Sequence, residues 1–258
     1  MKVICGGCFN HLHPGHIYFF NQCSAYGELF VIVAHDKNNN KLNKISAQKR
    51  LSQLENLKMI KNLKIGSQDD FSKLVKKIKP QVICLGYDQE LPSKVLSIIK
   101  KDKIKIKRMK KLPDYKKDFN SFLGRIFSGE KKAGSFLNTP IYKNKIESVI
   151  KKEIYPGTLN LNLGNKNYLK NVNKKKMTLI RGFKEGDREF GDIYIYPIKI
   201  KSIIDKEPAF KRLKVDLRAW VVKAQKTMYN EEIIEIIHPQ NLRKKFNLAD
   251  DQLMEIKF

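Results

Sequence analysis

The sequence predicts two domains of different class: an α/β domain built on a parallel sheet, then a mainly-β barrel or sandwich. Three observations carry this. A chain of 258 residues exceeds what one domain of the commonest size needs. In the first hundred residues, short β-rich apolar runs at 2–5, 29–34 and 81–85 alternate with helix-like segments, and strand and helix in turn imply parallel pairing. Beyond a lysine-dense stretch at 100–121 the texture changes to apolar–polar alternation punctuated by Gly, Asn and Pro. The boundary is expected at the end of that stretch, giving domains 1–120 and 121–258.

In the first domain, KVIC opens a strand. After Pro14 the segment GHIYFFNQCSAYG repeats apolar residues at helical spacing and stops at Gly27. LFVIVA is a second strand, AQKRLSQLENLKMI at 47–60 a second helix, and QVICL a third strand. In the second domain GRIFSG, TLNLNL, MTLIRGF, DIYIYPIKI, AWVVKA and EEIIEII read as strands, with helices only at 143–152 and 241–246.

Hydrophobic residues make up 41% of the chain, enough for two cores. No run of about 18 uncharged apolar residues occurs and the N-terminus lacks a signal-peptide layout, so a cytoplasmic protein with no membrane partner is expected. Four cysteines, none after Cys84, make no disulfide framework and fit a reducing compartment. Lys and Arg number 52 against 26 Asp and Glu, and the net charge of +26 attracts polyanions, anionic membranes or phosphorylated small molecules. The lysines are spread along the chain without the interleaved aromatics of an RNA-binding face, so nucleic acid is not the expected partner.

Reactive side chains concentrate at 5–16, CGGCFNHLHPGH. A two-Cys, two-His zinc finger needs about 12–15 residues between its second Cys and first His, and only Phe9 and Asn10 separate Cys8 from His11. A redox pair at Cys5 and Cys8 would open a helix directly, whereas Pro14 and Gly15 intervene. The pattern does supply a strand, a glycine-bearing turn and a helix N-terminus, which together make an anion site. His13 and His16, three apart at the helix start, can both donate to phosphate oxygens as charge accumulates in group transfer.

Residues 7–16, GCFNHLHPGH, resemble the G-T-F-D-x-x-H-x-G-H signature of the nucleotidylyltransferase superfamily and, within it, the archaeal FAD synthases. The resemblance implies a Rossmann-like α/β fold, places Cys8, Phe9, His13, Pro14, Gly15 and His16 at ATP, and makes His13 and His16 the catalytic pair. Cys8 stands where the family has Thr, and Asn10 where it has Asp; a thiol is a weak donor. ICLGYDQ at 83–89 is similar to the family's strand-end V-L-G-x-D-Q and implies an ATP contact at Asp88. A carboxylate past a strand's C-terminal end also suits the ligand crevice of an open α/β sheet. QKR at 48–50 resembles the family's E-Q-R and implies Arg50 at the phosphates, with a solvated helix face as the alternative. Tyr115 matches a late ATP-contacting Tyr.

In YPGTLNLNL at 155–163, Pro156-Gly157 makes a turn and alternation puts Thr158, Asn160 and Asn162 on one strand face, with three leucines on the other. Neutral oxygens two residues apart can contribute to a Mg²⁺ site completed by phosphates and waters, and an ordinary half-exposed strand is the alternative. PGTLN, with EIIEIIHPQNLRKKFNL at 232–248, is similar to the archaeal CTP-dependent riboflavin kinases over residues 123–258. This second resemblance implies a riboflavin kinase-like barrel, Mg²⁺ at Thr158 and Asn160, and flavin at Thr227 and Glu235. It also implies the cytidine nucleotide at Gln240, Asn241, Leu242 and Arg243. The family's S-G-x-G-x-G nucleotide loop corresponds to SGEKKAGSF at 128–136, with CTP contacts at Gly129, Glu130, Lys131, Lys132, Ala133 and Gly134. Lys131 and Ala133 replace glycines that let backbone amides approach phosphate closely.

Together the resemblances imply a fusion enzyme that phosphorylates riboflavin to FMN with CTP and adenylylates FMN to FAD with ATP, using Mg²⁺ or another divalent cation. The rival readings are nucleotidyl transfer to another phosphorylated alcohol, and a basic nucleic-acid-binding protein on a decayed enzyme fold.

Overall fold

The computed structural model describes every residue except 40–44, 56, 69–70, 92, 119, 131–132, 165–166, 171, 206–209 and 226. It contains two compact units, one built on residues 1–117 and one on residues 118–205 and 211–258.

The first unit is a five-stranded parallel sheet of β1 (Lys2–Gly7), β2 (Glu28–Val33), β3 (Asn62–Ile65), β4 (Val82–Leu85) and β5 (Lys105–Arg108), ordered β3-β2-β1-β4-β5. The helices α1 (Pro14–Ser24), α2 (Ala47–Glu55), α3 (Phe71–Ile78) and α4 (Ser93–Lys101) connect the strands. β1, β2 and β4 are the three predicted strands, and their near-continuous burial is what a sheet covered on both faces requires. Ile4, Ile32 and Ile83 pack with Val75 and Ile78 of α3 and Val95 and Ile98 of α4. Each such side chain withdrawn from water stabilises the unit by roughly 1.5–3 kcal/mol. β3 and β5 escape the sequence pattern because they are edge strands: NLKI is half-buried throughout and every residue of KIKR is exposed. Within the lysine-dense stretch, Lys105 and Lys107 lie on this edge strand and protect the sheet edge from further pairing.

Strand order reverses between β1 and β4, the position where open α/β sheets hold ligands. The β1–β2 ladder continues to Gly7↔Val33, but β1 meets β4 only at Val3↔Val82 and Ile4↔Ile83. The two strands therefore diverge towards their C-terminal ends and open a crevice there.

The second unit is antiparallel. Six strands, β6 (Ser121–Phe127), β7 (Leu159–Asn162), β11 (Ile193–Asp205), β12 (Lys211–Ala224), β13 (Ile233–Ile237) and β14 (Leu253–Lys257), pair around a closed ring because β12 also pairs with β11. β8 (Thr178–Ile180) adds to β11, and β9 (Phe183–Glu185) pairs with β10 (Arg188–Phe190) as a hairpin. Of the two predicted β architectures the barrel is the one formed, and closure leaves its strands no free edge. Leu159 and Leu161 of β7, and Leu163 just beyond it, point into the barrel with Ile198 and Ile200 of β11. A bulge between Ile200 and Ser202 then shifts the alternation by one residue, so that Ile203 takes the next interior place.

The outer barrel face carries a second core. Ile195, Trp220, Val222 and Ile237 are covered by Tyr142, Ile146 and Ile150 of α6 (Pro140–Ile150). α6 begins three residues before the predicted helix because Pro140 suits the first helical position, and Lys151, in the left-handed region at φ 55°, ends it. α5 (Ala133–Leu137) lies in the stretch read as a loop. α7 (Leu242–Phe246) is the other predicted helix, capped by Asn241, whose side-chain oxygen accepts from the Lys244 amide at 3.1 Å. Among the described residues no helix is long and apolar enough to cross a membrane.

Candidate active sites

In the first unit the crevice is framed by the loop after β1, the start of α1 and the loop after β4. Phe9 sits in the left-handed region at φ 50°, an uncommon conformation for a bulky residue. Gly7 permits it, since a Cβ there would lie 2.8 Å from the Phe9 ring. That ring packs between His16, at 5.3 Å edge-on, and Phe20 at 5.1 Å. His13 and His16 stack with centroids 3.7 Å apart and planes 21° from parallel, and Tyr115 stacks on His13 at 5.8 Å. Phe9, His13, His16 and Tyr115 thus gather along one chain of ring contacts, with Cys8, Pro14 and Gly15 next to them in the sequence. Asp88 stands exposed on the loop after β4, across the strand divergence.

Both histidines are held neutral. Burial drives the His13 imidazole down to about 3, with the Lys117 ammonium adding to the effect. Burial, then His13 and Lys117, hold His16 well below its ordinary value. Nδ1 of each ring is buried with no hydrogen-bond partner. An unfolded imidazole takes its proton near 6.5, whereas folded His13 waits until about 3, so the stability tied to neutral His13 is complete above pH 6.5. It is lost as pH falls from 6.5 towards 3. At pH 5 the loss from His13 is expected to be about 2 kcal/mol, at 1.36 kcal/mol per pH unit. Hydrogen exchange of β1 and β4 amides at pH 7 and pH 5, corrected for intrinsic rates, checks this; unchanged protection refutes it.

Arg50 corrects an expectation. It neither lies on a solvated helix face nor presents a free guanidinium to phosphate. The side chain is fully buried and donates to Ile45 O, Cys8 O and Asp36 Oδ1, each at 2.7 Å. A buried arginine needs hydrogen-bonded, charge-paired partners of this kind. Its effect on the site is indirect, through the Cys8 carbonyl that it holds. Asn10 forms a reciprocal amide pair with fully buried Asn39: Asn39 Nδ2 donates to Asn10 Oδ1 at 2.7 Å, and Asn10 Nδ2 to Asn39 Oδ1 at 3.1 Å. Asn10→Asp would keep one of these bonds and set two oxygens face to face. We predict a loss of roughly 1–3 kcal/mol, read from thermal unfolding of the variant, and an unshifted melt would rule it out.

Two neighbours were not singled out from the sequence. Gln89 bridges the diverging strands, donating from Nε2 to Gly6 O at 3.0 Å and accepting the Gly86 amide at 3.2 Å. Lys117 sets its charge near both histidines. Only its place two residues after Tyr115 marked it, and that signal was lost in a lysine-rich background. Cys5, Cys23 and Cys84 are buried core thiols, and among the described residues no group of three His, Cys, Asp or Glu side chains is arranged to hold a metal ion.

In the second unit a cavity of about 700 Å³ lies against the outer face of the barrel. It is lined by Gly129, Glu130, Ala133 and Gly134, by Thr158 and Asn160, by Thr227 and Glu235, and by Gln240, Asn241, Leu242 and Arg243. All predicted kinase-site residues that the structure describes therefore share one cavity; Lys131 and Lys132 lie outside the described residues. Glu235 of β13 stands directly opposite Asn160 of β7, and Phe127 of β6 flanks Asn160 on its other side. The Thr158 hydroxyl donates to Asn160 Oδ1 at 3.0 Å and also reaches Glu235, whose carboxyl is raised by burial. Asn160 is only 5% exposed although it belongs to the polar strand face, because the cavity walls cover it. Oxygen donors of this kind suit a hard divalent cation that takes its remaining ligands from phosphate and water.

The loop carrying Gly129 is fixed by residues with no motif to announce them. Asp250 accepts from the Ser128 amide at 3.0 Å, the Ser128 hydroxyl at 3.1 Å and Arg243 at 2.8 Å, tying the loop to α7. Tyr229 accepts the Glu130 amide at 3.4 Å and packs edge-on to Phe127 at 5.9 Å. His238, at the end of β13, completes this wall.

Two family models match the chain, and their matches overlap. The cytidylyltransferase-like family matches residues 4–148. The CTP-dependent riboflavin kinase family, described as a domain of unknown function, DUF120, matches residues 126–258. Residues 126–148 fall in both matches and are built into the second unit. The FAD synthase of Methanosarcina mazei is 41% identical over 98 residues, covering 37% of this chain and 65% of that protein. That of Methanosarcina barkeri is 43% identical over 91 residues, covering 34% and 66%. The chain thus spans just under two thirds of the length of these relatives. A crystal structure titled as the lipopolysaccharide core biosynthesis protein of Thermoplasma volcanium is 35% identical, covering 43% of this chain and 98% of that one. Its TM-score of 0.40 is too low to carry an argument. Through its first unit the chain belongs to the cytidylyltransferase-like family, and through its second to the CTP-dependent riboflavin kinase family.

Proposed function

We propose that the protein makes FAD from riboflavin in two steps, the second unit phosphorylating riboflavin with CTP and the first adenylylating the resulting FMN with ATP. The observation that carries this reading is the convergence, on one cavity, of the Thr158–Asn160 pair, Glu235 and Thr227, and the 129–134 and 240–243 segments. Phe127 and the exposed rim residues Tyr155 and Met228 give that cavity an apolar side suited to a flat ring system.

In the first step the ribityl 5′-hydroxyl attacks the γ-phosphorus of CTP, the bond to the β,γ-bridging oxygen breaks, CDP leaves and the hydroxyl proton is lost. Glu235 and Thr227 hold the flavin, while the loop and α7 segments hold the nucleotide. Thr158 and Asn160 would hold Mg²⁺, which when bound neutralises phosphate charge. In the second step a phosphate oxygen of FMN attacks the α-phosphorus of ATP and pyrophosphate leaves. Neutral His13 and His16 donate hydrogen bonds to the oxygens on which charge accumulates, and Lys117 supplies positive charge beside them. Neither step uses a covalent intermediate; positioning and charge neutralisation do the work. Four free thiols and nucleoside triphosphate substrates fit a cytoplasmic setting.

Incubation with riboflavin, Mg²⁺ and CTP alone should yield FMN, and addition of ATP should yield FAD. Absence of both products from freshly reduced protein would exclude the reading.

A further inference from the structure

The nucleotide end of the cavity holds a polar group that the catalytic reading leaves unused. His238 is 8% exposed and lines the cavity. Its main-chain oxygen accepts the Tyr155 amide at 3.0 Å, which fixes the backbone. Its Nδ1 lies 2.9 Å from the Gln240 amide nitrogen and 3.3 Å from the Gln240 carbonyl oxygen. An amide N–H can only donate, so at the shorter distance Nδ1 is the acceptor and the neutral ring carries its proton on Nε2. Burial lowers the affinity of this imidazole for a second proton, and the Lys245 and Lys152 charges act in the same sense. Nε2–H therefore persists as a single, oriented donor, and it makes no hydrogen bond within the described residues. Nε2 is not one of the enclosed polar atoms that lack a partner, so this donor stays open to the cavity, where a ligand can replace the water that otherwise satisfies it.

We infer that His238 is a nucleotide contact, donating from Nε2 to a hydrogen-bond acceptor on the cytidine nucleotide gripped by residues 240–243. This rests on the assignment of that end of the cavity to the nucleotide. A neutral donor of fixed tautomer selects acceptors, so the partner is a base carbonyl or ring nitrogen, or a phosphate oxygen. Donors such as an exocyclic amine or a protonated ring nitrogen would face it unfavourably.

The test uses the full chain, without riboflavin. In the wild type, the Nε2–H resonance of His238 should shift on addition of CDP. Cytidine alone reproducing the shift identifies the base as the acceptor; inorganic pyrophosphate reproducing it identifies the phosphates. Titration calorimetry with CDP should give a Kd about tenfold higher in His238→Ala, partly restored in His238→Gln, which keeps an N–H near Nε2. CDP binding with an unmoved His238 resonance and equal affinity in the variants overturns the inference while leaving the proposed function standing. A wild-type chain that binds neither CDP nor CTP removes both.

Discussion

Gly129→Ala is expected to lower the rate of FMN formation on the order of 100-fold while FAD formation from added FMN continues at the wild-type rate. A Cβ at this position would overlap Asn160 Nδ2 and Tyr229 Oη. Neither can move cheaply. Asn160 is buried between Phe127 and Glu235 in the barrel wall, with its Oδ1 accepting from Thr158. Tyr229 holds the Glu130 amide and packs on Phe127. The alternative, outward displacement of the loop, strains the Ser128–Asp250–Arg243 ties. On any of these routes a cation-binding oxygen or a nucleotide-binding segment shifts by about an ångström, and such a misplacement costs on the order of 100-fold in rate. Separation of flavins after incubation with CTP and Mg²⁺ reads the effect; FMN formation within a few-fold of wild type would refute the cavity as the phosphoryl-transfer site.

His16→Ala is expected to lower the rate of FAD formation from FMN and ATP by roughly 100- to 1,000-fold, the usual cost of losing one charge-stabilising donor, with FMN formation unchanged. His16 stacks on His13 and backs onto Phe9 and Phe20, so part of the loss will come from a loosened His13. His16→Gln separates these contributions, because it retains a donor without the stacked ring. If both steps fall together in His16→Ala, the assignment of one reaction to each unit is wrong.

Much of the first unit was legible in its residues. The strands that became β1, β2 and β4 are apolar runs because a sheet covered on both faces buries every side chain, and the helix after Pro14 follows from apolar periodicity with a proline at its start. β3 and β5 were illegible because edge strands have no core to record in their pattern. In the second unit the Leu159, Leu161, Leu163 alternation foretold a strand with one core face. That Asn160 on its polar face would be buried too, under a cavity wall, needed the cross-strand register that sets it between Phe127 and Glu235.

By itself, the sequence determined two domains of different class, a histidine pair at a helix start and a Thr–Asn pair on a strand face, since each is a local pattern written in consecutive residues. Only the tertiary structure decided that Arg50 is an internal clasp rather than a phosphate ligand. It alone closed the barrel through β11 and β12, and it alone gathered Gly129, Asn160, Glu235 with His238, and Asp250 from four separate segments around one cavity and the loop beside it. Those outcomes depend on which strands pair and in what register, and pairing energy between segments a hundred residues apart leaves no mark on the local order of either.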